Sequence, residues 1–181
     1  QMLLNEDHPD GVSSASRYNH ISNVSLNPRT LQQPLPLYIP GRTPASLERV
    51  AKWCHGVMFS AGAAVSRIEA LSPVMAEHAR SLDELDIIAA ADISLADHQE
   101  AAEARYWSSH HGQTMVSRRG KEGLLDNNWI GTPQFVAEKI SRLVDQGLRH
   151  FYVLHTATDS FEESTEQIQR FAEEVIGQLR G

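Results

Sequence analysis

The residues best suited to chemistry in this chain are Gly41-Arg42-Thr43-Pro44-Ala45-Ser46, set between an apolar strand and an amphipathic helix. A glycine lets the backbone turn tightly, and the helix after it presents unpaired N–H groups with a partial positive charge. That end suits a phosphate. Thr43 and Ser46 add hydroxyl donors and Arg42 a forked cation. The same residues also read as a plain N-cap, because Thr-Pro opens many helices that bind nothing. A second copy, Gly131-Thr132-Pro133, carries Phe135 where the first carries Ser46, and reads as structural.

His155 stands at the end of the last apolar strand, the side on which barrels of βα repeats place their active sites. It reads either as a contact for substrate or cofactor or as a hydrogen-bonded structural histidine. Arg118 and Arg119 belong to a polar stretch, Ser117 to Gly123, that reads as a mobile surface loop. Such a loop can close over an anion or simply be solvated. The chain has 9 histidines, yet their spacing gives no metal site. There is no His-Glu-x-x-His, and the adjacent His110 and His111 cannot converge on one ion from a helix, so both are expected to face solvent. Cys54 lies on an apolar helix face and is expected to be a buried, inert thiol. A nucleophile elbow, a Walker loop and a dinucleotide Gly motif are all missing from the sequence, so no catalytic residue is assigned. The acidic face of the last helix (Glu162, Glu163, Glu166, Glu173) reads as solvated.

The elements that must position these residues follow from apolar periodicity. Residues 1–34 read as a polar loop or hairpin insertion: a turn cluster over 5–11, then a short alternating strand within 18–24. Residues 35–181 read as βα repeats. Strands are expected at Leu35–Ile39, Gly56–Phe59, Ile87–Ile93 and Phe151–Leu154. The first helix buries Leu47, Val50, Ala51 and Cys54. A helix from Ala63 to about Ala79 buries Val65, Ile68 and Leu71, with a break at Pro73. Asp97 and Glu100 offer a capping box to a helix running from His98 towards His110. Val136, Ile140, Leu143 and Val144 line the next, which Gly147 stops. The last helix starts near Asp159 or Ser160 and buries Ile168, Phe171, Ala172, Val175 and Leu179.

Strands alternating with helices predict an α/β fold with a parallel sheet. Thr-Pro, an amphipathic helix and an apolar strand occur at 43–59 and again at 132–154, a weak internal repeat of the kind found in a (β/α)8 TIM barrel. A closed barrel takes about 250 residues, and the chain has 181. It reads as the later half of a barrel, incomplete, and a start at Gln1 suggests missing residues upstream. Its 41% hydrophobic and 22% charged composition suits a globular protein. A net charge of −7 without a basic stripe argues against nucleic acid. No apolar run reaches membrane-spanning length. A single cysteine and no signal peptide fit a cytoplasmic location.

Several stretches together resemble the bacterial luciferase-like flavin-dependent monooxygenases. They are Leu26 to Ile39 with its Pro34-Leu35-Pro36 core, Gly41-Arg42-Thr43-Pro44, and the helix to His55-Gly56-Val57, where His55 replaces the family's usual Asp. In the second half, Ser117-Arg118-Arg119-Gly120, Gly131-Thr132-Pro133 with Val136-Ala137-Glu138-Lys139, Gly147 with His150-Phe151, and Arg170 to Val175 also resemble the family. The resemblance implies a barrel that binds reduced FMN, or in some relatives the deazaflavin F420, at the C-terminal ends of its strands. Reduced FMN with O2 oxygenates a small organic substrate, whereas F420 relatives transfer hydride. It implies that Gly41, Arg42, Thr43 and Ser46 hold the cofactor phosphate, that electrons come from a separate reductase, and that the chain is a homo-oligomer. In the family, the N-terminal half carries the groups against the flavin ring, and this chain lacks it. Two other readings stand beside this one: a non-catalytic half-barrel serving as an interaction or assembly subunit, and an unrelated α/β binder of phosphate esters.

Overall fold

A computed structural model describes residues 10–25, 30–32, 34–146, 148 and 150–179. The chain divides into two compact units, 1–37 and 38–181. The first holds an antiparallel hairpin of β1 (Val12–Ala15) and β2 (His20–Val24). Residues 26–29 of the family-like stretch, 5–9 of the expected turn cluster, and Gly147 lie outside the described residues.

In the second unit, β3 (Tyr38–Pro40), β4 (Gly56–Ser60), β5 (Asp86–Ala91) and β8 (His150–Val153) form one parallel sheet in that order. These are the four strands read from the sequence. Between β3 and β4 runs α1 (Pro44–Trp53), and α2 (Ala64–Glu77) precedes β5. Crossover helices are what parallel neighbours require. Then come β6 (Ile93–Leu95), α3 (Gln99–Ser108), α4 (His110–Arg119), α5 (Lys121–Asn127), β7 (Trp129–Gly131), α6 (Pro133–Asp145), and after β8 the helix α7 (Phe161–Arg170). A π-helical segment (Phe171–Ile176) and a last turn (Gly177–Leu179) extend α7. The main core sets Leu47, Val50 and Ala51 of α1, Leu71 and Met75 of α2, and Val136 and Ile140 of α6 against Val57, Phe59, Ala89 and Ala91 of the sheet. A smaller core gathers Ala96, Ala102, Tyr106, Leu124, Ile130 and Ala157.

The structure corrects several local readings. The stretch 117–123 is helical rather than a loop: α4 ends on Arg118 and Arg119, Gly120 turns at φ +73°, and α5 begins. Glycine adopts that left-handed backbone at little cost, so a breaker in a polar segment made a joint between helices. Pro73 does not break α2. The carbonyl it leaves without a partner belongs to Glu69, and both residues are exposed to water. Asp97 and Glu100 make no capping box: α3 has no side-chain cap, and Asp97 instead accepts from Arg170 at 2.9 Å. The expected helix from 98 to 110 stops at Ser108 because Ser109 caps α4, accepting from the Gly112 N–H at 3.0 Å. Finally, Ile168 and Ala172 are exposed, whereas Gln167 is fully buried. The inward positions recur every four residues (Gln167, Phe171, Val175, Leu179), as the wide π-turn dictates.

Candidate functional site

The strand expected at Ile87–Ile93 is interrupted at Asp92, and the site is built on that residue. Backbone groups of alternate residues point to opposite edges of a strand. On one edge, Asp86 N–H donates to His55 O beside β4, and farther along Asp92 O accepts from Trp129 N–H of β7 at 2.9 Å. On the other edge, Ala91 O accepts from Leu154 N–H and Ile93 N–H donates to His155 O, both at 2.8 Å. Asp92 is thus where one edge passes from β4 to β7, and its own N–H donates to the Asn128 side chain at 2.9 Å. Strand β7 was not read from the sequence, since its three residues, Trp129–Gly131, are too few to show a period.

The Asp92 side chain is only 7% exposed, yet it carries a carboxylate. Three donors meet it. Tyr106 Oη donates to Oδ2 at 2.8 Å, His111 Nε2 lies 2.8 Å from Oδ2, and His155 Nδ1 lies 2.9 Å from Oδ1. The two imidazoles stack with centroids 4.2 Å apart and planes inclined by 29°. Burial and the Asp92 charge push the Tyr106 phenol well above its ordinary value, so it remains a neutral donor; the Arg119 charge acts in the opposite sense. One ligand atom from each of Asp92, His111 and His155 lies within 4.8 Å of the others. His111 and His155 also line a cavity of about 600 Å³ with Phe151, Leu154, Ile168 and Phe171. A buried carboxylate with two imidazoles can hold a proton or a cation, and the cavity gives either one access to a ligand.

The residues singled out from sequence separate into groups. His155 is in this cluster, half-exposed, its ring fixed by Asp92. His111 was expected to face solvent with His110. Only His110 does, because α4 starts at Ser109 and aims its second residue at Asp92. The spacing argument against a metal site compared neighbours along the chain, whereas the donors come from positions 92, 111 and 155. Asp92 was missed altogether. The available signal was a lone charged residue inside the run Ile87 to Leu95, apolar apart from Asp92 and Ser94, which burial obliges to find partners.

Gly41, Arg42, Thr43 and Ser46 lie at the C-terminal end of β3, on the same end of the sheet as Asp92 and His155. Strand spacing puts β3 and β5 about 10 Å apart. Thr43 Oγ1 accepts from Ser46 N–H at 3.2 Å, and Ser46 Oγ accepts from Thr43 N–H at 2.8 Å, a reciprocal capping box. Both hydroxyls are therefore engaged in closing the helix end, while Arg42 is exposed. Gly41 is required by packing: a Cβ there would stand 2.4 Å from Phe59 and 2.8 Å from Val57. In the second copy, Thr132 accepts from Phe135 N–H at 3.2 Å without the return bond. Arg118 and Arg119 are exposed on the last turn of α4. Cys54 is buried, and that burial pushes its thiol up, away from the thiolate a nucleophile needs.

A sequence model of the luciferase-like monooxygenase family matches residues 1–150. The chain belongs to that family. Solved structures share its fold. Monooxygenase RslO1 from Streptomyces bottropensis is 21% identical with a TM-score of 0.71, the match covering 98% of this chain and 58% of that one. An F420-dependent secondary alcohol dehydrogenase in complex with an F420-acetone adduct is 18% identical (TM-score 0.72, covering 99% and 58%). The coenzyme F420-dependent tetrahydromethanopterin reductase from Methanopyrus kandleri is 17% identical (TM-score 0.69, covering 98% and 60%). No curated protein matches. The chain spans about three-fifths of the length of these structures, and its parallel sheet with crossover helices is part of a luciferase-like TIM barrel. Among the described residues, no helix is long and apolar enough to cross a membrane.

Proposed function

We propose that this chain is the C-terminal half of a cytoplasmic flavin- or deazaflavin-dependent oxidoreductase, a monooxygenase using reduced FMN and O2 on a small organic substrate. The family match over residues 1–150 carries this reading. The residues present fit the cofactor at two places. The cavity beside β8 has the volume and largely apolar wall of a small-molecule site. At the end of β3, the N-terminus of α1 and the exposed Arg42 suit the phosphate. There Thr43 and Ser46 act by holding the helix end in shape, and Gly41 by letting it seat on Phe59. Arg118 and Arg119 add positive charge at the end of α4, and His155 presents an imidazole to the cavity. A bound reduced flavin would supply the electrons that activate O2; F420, the alternative, would supply hydride to the substrate. Electrons reach the flavin from a separate reductase, and a homo-oligomer or an N-terminal half completes the barrel.

A second reading is favoured by the apolar surface along the edge strand β8. Tyr152, Leu154 and Ile168 are 51%, 46% and 55% exposed, an arrangement that suits an interaction or assembly subunit. Titration of the chain with FMN, F420 and riboflavin, beside intact mass and solution size, separates the two. Flavin reading predicts micromolar FMN binding that Arg42→Ala weakens about tenfold, the low end for a hydrogen bond to a charged group. Riboflavin, which has no phosphate, would not respond to that substitution. An oligomer that binds none of the three would support the assembly reading instead.

A further inference from the structure

We infer that Asp92, His111 and His155 form a binding site for a divalent first-row transition-metal ion, with its open positions turned to the cavity beside β8. The inference rests on the side chains alone and holds whichever reading of the cofactor is right. A carboxylate oxygen and two imidazole nitrogens are a mixed, borderline set; it suits Zn2+, Co2+, Mn2+ or Fe2+ and not Ca2+ or Mg2+, which take oxygen throughout.

Metal–ligand bonds of about 2.0–2.2 Å at angles between octahedral and tetrahedral separate neighbouring donors by roughly 3 Å. Asp92 Oδ2 lies 2.8 Å from His111 Nε2 and Oδ1 lies 2.9 Å from His155 Nδ1, and one ligand atom of each residue lies within 4.8 Å of the others, so side-chain rotation can gather the three around one ion. The backbone segments that carry the donors are anchored separately. Backbone bonds to Asn128 and Trp129 fix Asp92, the Ser109 cap fixes the start of α4, and Ile93 N–H holds the His155 carbonyl. Tyr106 donates to Oδ2 and orients the carboxylate from behind, the outer support that metal-binding carboxylates commonly have.

Charge points the same way. A carboxylate that is 7% exposed is costly in a buried setting unless a positive charge accompanies it. A divalent ion compensates it. Three protein ligands leave at least one position for water or an exogenous oxygen, the pattern of an open site. Because His111 and His155 line the cavity, that position meets an anionic or carbonyl oxygen of whatever occupies it.

The test is titration of chelator-treated protein with Co2+, read by its visible ligand-field bands, and with Zn2+ by calorimetry. One equivalent is expected, absent in the His111→Gln, His155→Gln double variant. Tyr106→Phe should weaken binding about tenfold, the low end for a lost outer partner. Far-UV circular dichroism identifies variants that keep the fold, and His155→Gln, at a half-exposed position, gives a milder second variant. Failure of folded wild-type protein to bind Co2+ or Zn2+ overturns the inference. So does binding that survives the double variant, which would place the ion on other histidines.

Discussion

Gln167→Leu tests whether a single side chain completes the strand that carries Asp92. Gln167 is fully buried, and its amide serves both backbone groups of Leu95: Oε1 accepts from Leu95 N–H at 2.7 Å, and Nε2 donates to Leu95 O at 3.1 Å. On this edge the preceding bonds go to β8 and its extension, at Ala91 and then Ile93. Gln167 therefore does for Leu95 what a further residue of a neighbouring strand would do. Leucine has similar bulk but leaves a buried N–H and a buried C=O without partners. Each orphaned group costs about 1–3 kcal/mol, and added apolar burial returns part of that, so a net loss of about 3 kcal/mol is expected. With a urea m-value of about 2 kcal/mol/M, the midpoint should fall by about 1.5 M. The transition is readable through the buried Trp129, which stacks on Phe171 at 5.8 Å beside the altered helix. Hydrogen exchange at the Leu95 amide gives the local check and should speed up more than exchange in β4. A midpoint within about 0.25 M of wild type would refute the strand-completion argument.

Two further substitutions probe the cap and the carboxylate. Thr43→Ala removes one half of the α1 capping box and should cost about 1 kcal/mol of stability in urea titration. An unchanged midpoint would mean that the reciprocal bonds add nothing. Tyr106 binds its proton more tightly folded than unfolded, because burial and Asp92 raise it above its ordinary 10.0. Its contribution is therefore complete below pH 10 and is lost as pH climbs towards the raised value, by at most about 1.4 kcal/mol per pH unit. Tyr106→Phe should flatten the alkaline limb of the stability profile, and an unaltered limb would place the phenol in contact with solvent.

The four strands of the parallel sheet and the inward faces of α1 and α6 were legible because each depends on residues within one element. Leu47, Val50 and Ala51, or Val136 and Ile140, recur at the helical period, and that period survives in any tertiary setting. Helix starts were legible for the same reason when the cap lay three residues from its partner, as at Thr43, Thr132 and Ser160. Stops and joints were not. Gly120, Pro73 and Asp97 each carry a local preference, yet their outcome was set by solvent at Glu69, by Arg170 across the fold, and by a second helix beginning where the first ended.

The candidate site is the extreme case of that distinction. Asp92 meets His111 and His155 across 19 and 63 residues of chain, and no periodicity encodes either distance. What the sequence did contain was a conflict: a charged residue inside a run that otherwise reads as buried strand. Proteins keep such conflicts where the surroundings repay them. Here the same residue that breaks the strand also transfers its edge from β4 to β7, bringing Asn128 and the smaller core up to the carboxylate. A neutral isostere could preserve the backbone switch but would have no need of two histidines. Their convergence on Asp92, at the end of the sheet shared with Arg42, is a feature that a bend in the strand does not by itself require.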